Sequence, residues 1–229
     1  MKKNNLVKYL LISPSLPVGG FCYSEGLESY LKIKNLEKPD HIKNLITNEL
    51  KIGQIRIEAK CLIEIFDIFV ELKIANNNMK KNKRRLLSLD KWLLSFRDTV
   101  EIRDQQTQMA KSLFELTKEF GFEYIYEKNK SISWPLAWSW ACFSFQINKI
   151  EMIENFIYAW TANQLSAAIR LIPMGSIKAQ TIQLELLDLI SEVSQEIVDR
   201  NINDLYVGNI SLSMAQQNHN DLYTKLFRN

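Results

Sequence analysis

Apolar residues recur at steps of three and four along most of this 229-residue chain, and only five prolines and seven glycines interrupt them. Steps of three and four place successive apolar side chains on one face of an α-helix, whereas a half-buried strand alternates. The stretch from residue 39 to residue 50 is typical, with Ile42, Leu45, Ile46 and Leu50 on one stripe. The chain is therefore predicted to be all-α, a single helical-bundle-like domain of about eight to ten helices.

Helix boundaries follow from capping residues and from helix breakers. Ser24 is predicted to cap a first helix and Asp40 to cap the next one. Gly121 is predicted to end a helix, and the segment Pro173–Gly175 to break another. One long last helix is predicted over 182–197. Apolar stripes predict the remaining helices: Ile57, Cys61, Ile65, Ile68 and Leu72; Leu86, Leu89, Leu93 and Phe96; Ile102, Met109, Leu113, Leu116 and Phe120; Trp134, Trp138, Cys142 and Phe145; and Ile150, Ile153, Ile157, Trp160 and Leu171.

Three segments lack a helical stripe. Asn76–Arg85 carries one apolar residue and five positive charges, which predicts an exposed loop. Apolar and polar residues alternate weakly over 120–129. This segment is interpreted as a connection between helices, because the sequence predicts no second strand that could pair with it. The polar stretch 202–229 is predicted to be a loosely attached C-terminal tail.

Charge and cysteine content exclude some classes of function. The 29 basic and 26 acidic residues leave a net charge of +3, which does not demand a nucleic-acid or an anionic-membrane partner. Three widely spaced cysteines favour a reduced, cytoplasmic setting. No stretch offers the roughly 20 apolar residues that a membrane-spanning helix needs.

The sequence contains no convincing catalytic or metal-binding site. The chain has no Gly-x4-Gly-Lys-Ser/Thr phosphate-binding loop. The two histidines, His41 and His219, are far apart in sequence, so no metal site is predicted within one chain. Cys22 with His219 as a base would lack a third, orienting group. We therefore expect no catalytic residue and no bound cofactor.

Three further segments each allow two interpretations. In Arg97–Gln106, charges of both signs alternate, which favours an exposed ladder of ion pairs over a polar interface. The aromatic residues from Trp134 to Phe143 favour a packed core over a ligand pocket. The basic segment Lys80–Arg85 favours a solvated loop over an RNA contact, since no aromatic residues interleave with its charges.

The stretch SPSLPVGGFCYSEGLES, residues 13–29 and here called the opening stretch, resembles the N-terminal motif of the urease accessory protein UreF family. Three more segments resemble motifs of that family: EIRDQQTQMAKSL, SAAIRLIPMGSIKAQ and HNDLYTKLFRN. The matching positions in the opening stretch are Ser13, Pro14, Leu16, Pro17, Val18, Gly19, Phe21, Tyr23, Ser24, Gly26, Leu27 and Glu28; in the other segments they are Glu101, Arg103, Met109, Ser166, Ala167, Arg170, Pro173, Gly175, Gln180, His219, Tyr223, Leu226, Phe227 and Arg228.

This resemblance implies a mainly helical, dimerising chaperone without enzymatic activity. Proteins of this family bridge a nickel-carrying GTPase (UreG) and a second scaffold protein (UreD/UreH), and the assembly delivers nickel to apo-urease. Nickel and GTP would then belong to the partners. The expected partners are UreG, UreD/UreH, apo-urease and a second copy of the chain, with no nucleic acid and no membrane.

Partner contact is expected where rigid or aromatic residues occur in the family motifs. Pro17 fixes φ and Gly19 permits a sharp reversal, so the opening stretch is predicted to be a preorganised docking loop. Arg170 serves either partner contact or capping of a helix C-terminus. The predicted partner-binding residues are Pro17, Gly19, Tyr23, Ser24, Glu28, Glu101, Arg103, Arg170, Gly175, Gln180, Tyr223, Leu226, Phe227 and Arg228.

Two functions of other classes are also compatible with the sequence. One is a helical enzyme with an aromatic pocket near Trp138 and with Arg103 and Asp104 as polar groups. The other is an RNA-associated adaptor that uses Lys80–Arg85.

Overall fold

The computed structural model describes residues 6–74, 78–124 and 131–228, with residue 220 described by its backbone alone. Eleven α-helices and no strand are present in these ranges, which confirms the all-α prediction. The helices are α1 Lys8–Leu11, α2 Leu27–Lys34, α3 Pro39–Ile52, α4 Gln54–Ile74, α5 Met79–Phe96, α6 Val100–Glu119, α7 Trp134–Ser144, α8 Lys149–Leu171, α9 Ser176–Glu185, α10 Leu187–Asp199 and α11 Ser211–Asn218. Short 3-10 turns occur at Gly20–Cys22, Ile202–Asp204 and His219–Asp221.

Helix α4 lies at the centre of the molecule. It packs against α3, α5, α7, α8 and α10, and its first ten residues are buried on every side. A helix that is enclosed all round needs apolar residues all round, which α4 has in Ile55, Ile57, Leu62 and Ile63. The charged residues that interrupt this run are therefore forced into the interior, where each needs a partner.

Local sequence signals set most helix ends. Side chains of Thr99, Ser133 and Asn148 accept backbone N–H groups at the starts of α6, α7 and α8. Gly121 adopts a φ of +86° directly after α6, which confirms the predicted stop. The predicted cap at Asp40 is wrong: α3 begins at Pro39, and Asp40 lies inside its first turn.

Other boundary predictions need correction. The predicted last helix is two helices, α9 and α10, separated at Leu186, where neither glycine nor proline marks the break. Helix α2 begins at Leu27, so Ser24 lies before the helix rather than at its cap. Lys80–Arg85 is not a loop but the first turns of α5; residues 75–77 and 125–130, which belong to two predicted connections, lie outside the described ranges.

The C-terminal segment is attached to the body, contrary to the prediction of a loose tail. Helix α11 packs against α2 through the buried Leu212 and Ala215. The backbone N–H of Gly208 donates to the carbonyl of Ile52, and the Asn209 side chain donates to the buried Glu49 at 2.8 Å. The tail is long and polar, but its polar groups find partners on the helices.

Within the described ranges, no helix is both long and apolar enough to cross a membrane.

Candidate partner-binding site

Glu28 holds the C-terminal tail against the first turn of α2. Its side chain is almost completely buried, and its carboxylate accepts the backbone N–H groups of Leu226 and Phe227 at 3.0–3.1 Å. Lys32, one helical turn along α2, donates to the same carboxylate at 2.8 Å and also to the carbonyl of Thr224 at 2.7 Å. A carboxylate in the first turn of a helix is also favoured by the helix dipole.

Arg170, in the last turn of α8, joins the opening stretch to the tail. One of its guanidinium nitrogens donates to the carbonyl of Phe21 at 2.7 Å, and the guanidinium carbon lies 4.2 Å from the ring centroid of Phe227. The Phe227 ring is buried, while the backbone N–H of Arg228 donates to the carbonyl of Cys22 at 3.0 Å. We call this meeting point the terminal junction; it consists of Phe21, Cys22, Glu28, Arg170, His219, Leu226, Phe227 and Arg228.

Two side chains inside the terminal junction, Glu28 and His219, have shifted pKa values. Burial alone would raise the pKa of Glu28, but hydrogen bonds from Lys32 and from the N–H groups of Leu226 and Phe227 outweigh it and lower the pKa. His219 lies with Nε2 3.5 Å from Oε2 of Glu28, and burial lowers its pKa although Glu28 opposes this shift. The junction thus contains an ionised Glu28 beside a histidine that resists protonation.

Large apolar side chains remain exposed around the terminal junction. Phe21 is 65% exposed, Leu226 is 59% exposed and Tyr223 has its whole side chain in solvent. Hydrogen bonds fix the backbone at Phe21 through Arg170, at Leu226 through Glu28 and at Thr224, next to Tyr223, through Lys32, so the side chains project from a preformed surface. A fixed surface with exposed aromatic and aliphatic side chains is suited to docking of another protein.

The opening stretch is also tied to the interior, through Glu25. Trp160 of α8 and Gln105 of α6 donate to its carboxylate at 3.1 and 3.0 Å, and Gln216 of α11 donates to its carbonyl. Gly26 follows with a φ of +89°, and a Cβ atom there would lie 3.0 Å from the backbone nitrogen of Gln216. Glycine is therefore required at this position both by the backbone angle and by the close approach of α11.

A buried ion pair lies behind this region and was not predicted. Arg97, expected in an exposed ladder, donates to both carboxylate oxygens of Glu58 at 2.6 and 2.7 Å, and both side chains are nearly inaccessible. Gln54 accepts from Arg97, and Gln106 donates to Glu58 at 2.6 Å. Burial would lower the pKa of Arg97, but the carboxylates of Glu58, Glu25 and Glu49 raise it, so the guanidinium stays charged.

Some predicted site residues lie away from the terminal junction. Arg103 donates to the carbonyl of Arg97 at 2.8 Å and so supports the buried ion pair, and Glu101 lies near it on α6. Gly175 and Gln180 are exposed at the start and on the surface of α9.

The remaining predicted residues belong to the opening stretch itself. Pro17 is exposed in the loop, and Gly19 has a φ of +73°, as the expected reversal requires. Tyr23 is half-buried, whereas Ser24 is fully buried and its hydroxyl accepts the backbone N–H of Glu28.

Sequence reasoning missed Glu25, Glu58, Lys32 and the role of Arg97. The signal for Glu58 is its place in the run QIRIEAKCLI, where charged residues interrupt an otherwise apolar helix. Arg97 and Gln105 offered no comparable signal, because their partners come from other elements.

The aromatic segment around Trp138, considered above as a ligand pocket, and the buried cysteines belong to the packed core. Trp138 is 1% exposed and its indole N–H donates to the carbonyl of Met152, so the expected aromatic segment is core and not a pocket. Burial raises the pKa of Cys61 to about 12 and that of Cys142 well above its ordinary value, so neither thiol forms a thiolate at neutral pH. In the ranges that the structure describes, no three His, Cys, Asp or Glu side chains are grouped to hold a metal ion.

The fold and site define an all-α protein whose opening stretch and C-terminal segment form a shared surface, and comparison with known proteins gives its class. A sequence profile of the UreF family matches residues 36–187. A urease accessory protein UreF of Prochlorococcus marinus subsp. pastoris is 94% identical over the full length of both chains, and one of Prochlorococcus marinus strain MIT 9312 is 67% identical over the full length. One of Trichormus variabilis is 28% identical over 95% of this chain and 93% of its own.

The chain therefore belongs to the UreF family of urease accessory proteins. The match to the profile leaves out both the opening stretch and the tail, but the full-length relatives include them.

Proposed function

We propose that this protein is a non-enzymatic scaffold that bridges the nickel-carrying GTPase UreG and the scaffold protein UreD/UreH and assists nickel insertion into apo-urease. It acts in the cytoplasm as a homodimer, and the nickel and the GTP are carried by its partners. The terminal junction is the docking surface for UreD/UreH.

The observation that supports this proposal most is the position of Arg170. This side chain contacts the carbonyl of Phe21 in the opening stretch and the ring of Phe227 in the tail. Three segments that resemble family motifs, far apart in sequence, thus contribute to one surface. Their convergence is a reason to assign them one binding role rather than three.

The chemistry of the surface fits a protein partner. Tyr223 and Leu226 are exposed, and the backbone is hydrogen-bonded at Leu226 and at Thr224, next to Tyr223, so a partner would bury apolar area with little ordering cost. The exposed charges of Arg170 and Arg228 at its edge would favour an acidic rim on that partner.

Co-purification of the purified chain with UreG, with and without GTP, and with UreD/UreH tests the scaffold role. We expect a complex with UreD/UreH and nucleotide-dependent recruitment of UreG, while the isolated chain neither hydrolyses GTP nor turns over urea. If neither partner binds the intact chain, or if the isolated chain is itself catalytically active, the proposal is wrong.

A further inference from the structure

Helix α5 concentrates the positive charge of the whole molecule. It carries six of the 29 basic residues and one of the 26 acidic ones, a contribution of +5, so the remainder of the chain has a formal net charge of −2. Its single acid, Asp90, is buried and accepts the backbone N–H of Ser133. Every exposed charged side chain of α5 is therefore basic. These cations are Lys80, Lys81, Lys83, Arg84, Arg85 and Lys91.

Few of these cations are used within the molecule. Arg85 pairs with Glu71 at 2.8 Å, and it is the only one of the six with an ion pair among the described residues. Lys80 and Lys81 lie in the first turn of α5, where the positive end of the helix dipole disfavours them, and no acid occupies that turn. These cations do not stabilise the helix, so an external partner is the better explanation of their position.

The exposed face of α5 has the layout of a helix-binding seam. Arg84, Ser88, Lys91 and Ser95 follow one another at steps of four, three and four, which places them along one line of the helix surface. Lys80 extends the line by one turn, so its charges span about 16 Å at 1.5 Å per residue. Ser88, between Arg84 and Lys91, and Ser95, one turn beyond Lys91, leave room for a second helix to approach closely.

An aromatic pair borders this line. Trp92 is 45% exposed and stacks on Phe96 with a ring-centroid distance of 5.1 Å and an interplanar angle of 16°. It supplies an apolar edge beside Lys91, against which the aliphatic side chains of a docked helix would pack.

We propose that the exposed face of α5, defined by Lys80, Arg84, Ser88, Lys91, Trp92 and Ser95, is a second docking surface, and that its partner is an acidic α-helix of another protein with carboxylates on one face. This surface is separate from the terminal junction: α5 packs on α4, whereas the junction is built from α2, α8 and the segment after α11.

A protein helix fits this surface better than nucleic acid or lipid does. Leu86 and Leu93 bury the opposite side of α5 against the core, and no aromatic side chain interleaves with the cations of Lys80–Arg85 to stack on the bases of a single strand. The exposed side of α5 offers only the narrow apolar edge of Trp92 and Phe96, which is not the broad apolar face that a helix inserts into a bilayer. Carboxylates spaced along a partner helix would match the cation spacing directly.

Two labelled helical peptides of equal composition test the proposal on the full-length protein. The first has glutamates at i, i+4, i+7 and i+11, and the second distributes the same glutamates around the helix. Fluorescence anisotropy at physiological salt should give a Kd about tenfold lower for the first peptide, because three ion pairs form together. Vesicles with phosphatidylserine and a single-stranded oligouridylate serve as competing probes.

Variants locate the binding to α5. The triple variant Lys80→Gln, Arg84→Gln, Lys91→Gln should raise the Kd of the first peptide about tenfold. The charge-matched control Lys34→Gln, Lys111→Gln, Lys118→Gln, at exposed positions on α2 and α6, should leave its Kd unchanged. Equal binding of the two peptides, equal effects of the two triple variants, or tighter binding of the oligouridylate or the vesicles would each overturn the proposal.

Discussion

The carboxylate of Glu28 accepts the backbone N–H of Phe227 at 3.1 Å, across 199 residues of sequence. This contact fixes the tail on α2 and lets the Phe227 ring sit beneath Arg170. The exposed residues of the tail are thereby presented on an ordered backbone. A partner that binds there meets a surface that is already assembled, which lowers the entropic cost of association.

Removing the charge of Glu28 should loosen the tail. Glu28→Gln keeps the size of the side chain but loses the ion pair with Lys32 and weakens the two backbone hydrogen bonds, a loss of about 2 kcal/mol. Trypsin should then cleave faster after Lys225, while the helical circular-dichroism signal stays the same. The exposed Glu37→Gln is the control, and equal cleavage rates in the two variants would contradict the role of Glu28.

The same contact should weaken in acid. Because the folded pKa of Glu28 lies below its ordinary value of 4.5, its stabilising effect is complete above that pH and is lost as the pH falls through the folded pKa. Protease sensitivity of the wild-type tail should therefore rise at acidic pH, while Glu28→Gln should show a smaller change. An identical pH dependence in both proteins would show that another group controls the tail.

Breaking the buried ion pair of Arg97 and Glu58 should cost far more free energy of unfolding than breaking an ion pair on the surface. Glu58→Gln leaves the guanidinium of Arg97 buried without its counter-charge, and we expect a loss of about 3–5 kcal/mol in the free energy of unfolding. Glu71→Gln breaks the exposed pair with Arg85 and should cost under about 1 kcal/mol. Urea denaturation measures both values; similar losses would refute the assignment of Arg97 and Glu58 as a buried structural pair.

Glu49 should give the protein a stability that declines towards neutral pH. Burial raises its pKa from 4.5 to about 7, although Arg97 opposes the shift. The folded state therefore binds this proton more tightly than the unfolded state, and stability falls as the pH rises from 4.5 to about 7, by about 3 kcal/mol at most.

Glu49→Gln tests this directly, because glutamine is uncharged and can still accept from Asn209. The variant should gain stability relative to the wild type when the pH is raised from about 5 to about 8, as measured by Tm. If the difference in Tm between the two proteins is the same at both pH values, Glu49 does not titrate as described.

Those parts of the fold that depend on local spacing were predictable from the sequence. Ile42, Leu45, Ile46 and Leu50 were placed on one stripe and are all buried on α3. Gly121 was predicted to end α6 because a glycine readily adopts the left-handed angle that follows a helix, and it does so.

The parts that depend on contacts between distant elements were not predictable. Arg97 was interpreted from its immediate neighbours, yet its counter-charge Glu58 lies on another helix. The attachment of the tail depends on Glu28, and no local pattern in either segment encodes that pairing. The break at Leu186 likewise has no local signal, since leucine is an ordinary helix former.

The most direct measurement of the central claim is co-purification of UreD/UreH with a surface variant of the terminal junction. Deleting residues 222–229 would also remove the Phe227 ring and the two backbone N–H groups that Glu28 accepts, so point substitutions are cleaner. Tyr223→Ala with Leu226→Ala removes two exposed side chains, and Ile177→Ala with Leu184→Ala, equally exposed on α9, is the matched control. The junction variant should lose UreD/UreH at an unchanged Tm while the control retains it. Wild-type recovery of UreD/UreH by the junction variant would contradict the assignment of this surface as the docking site.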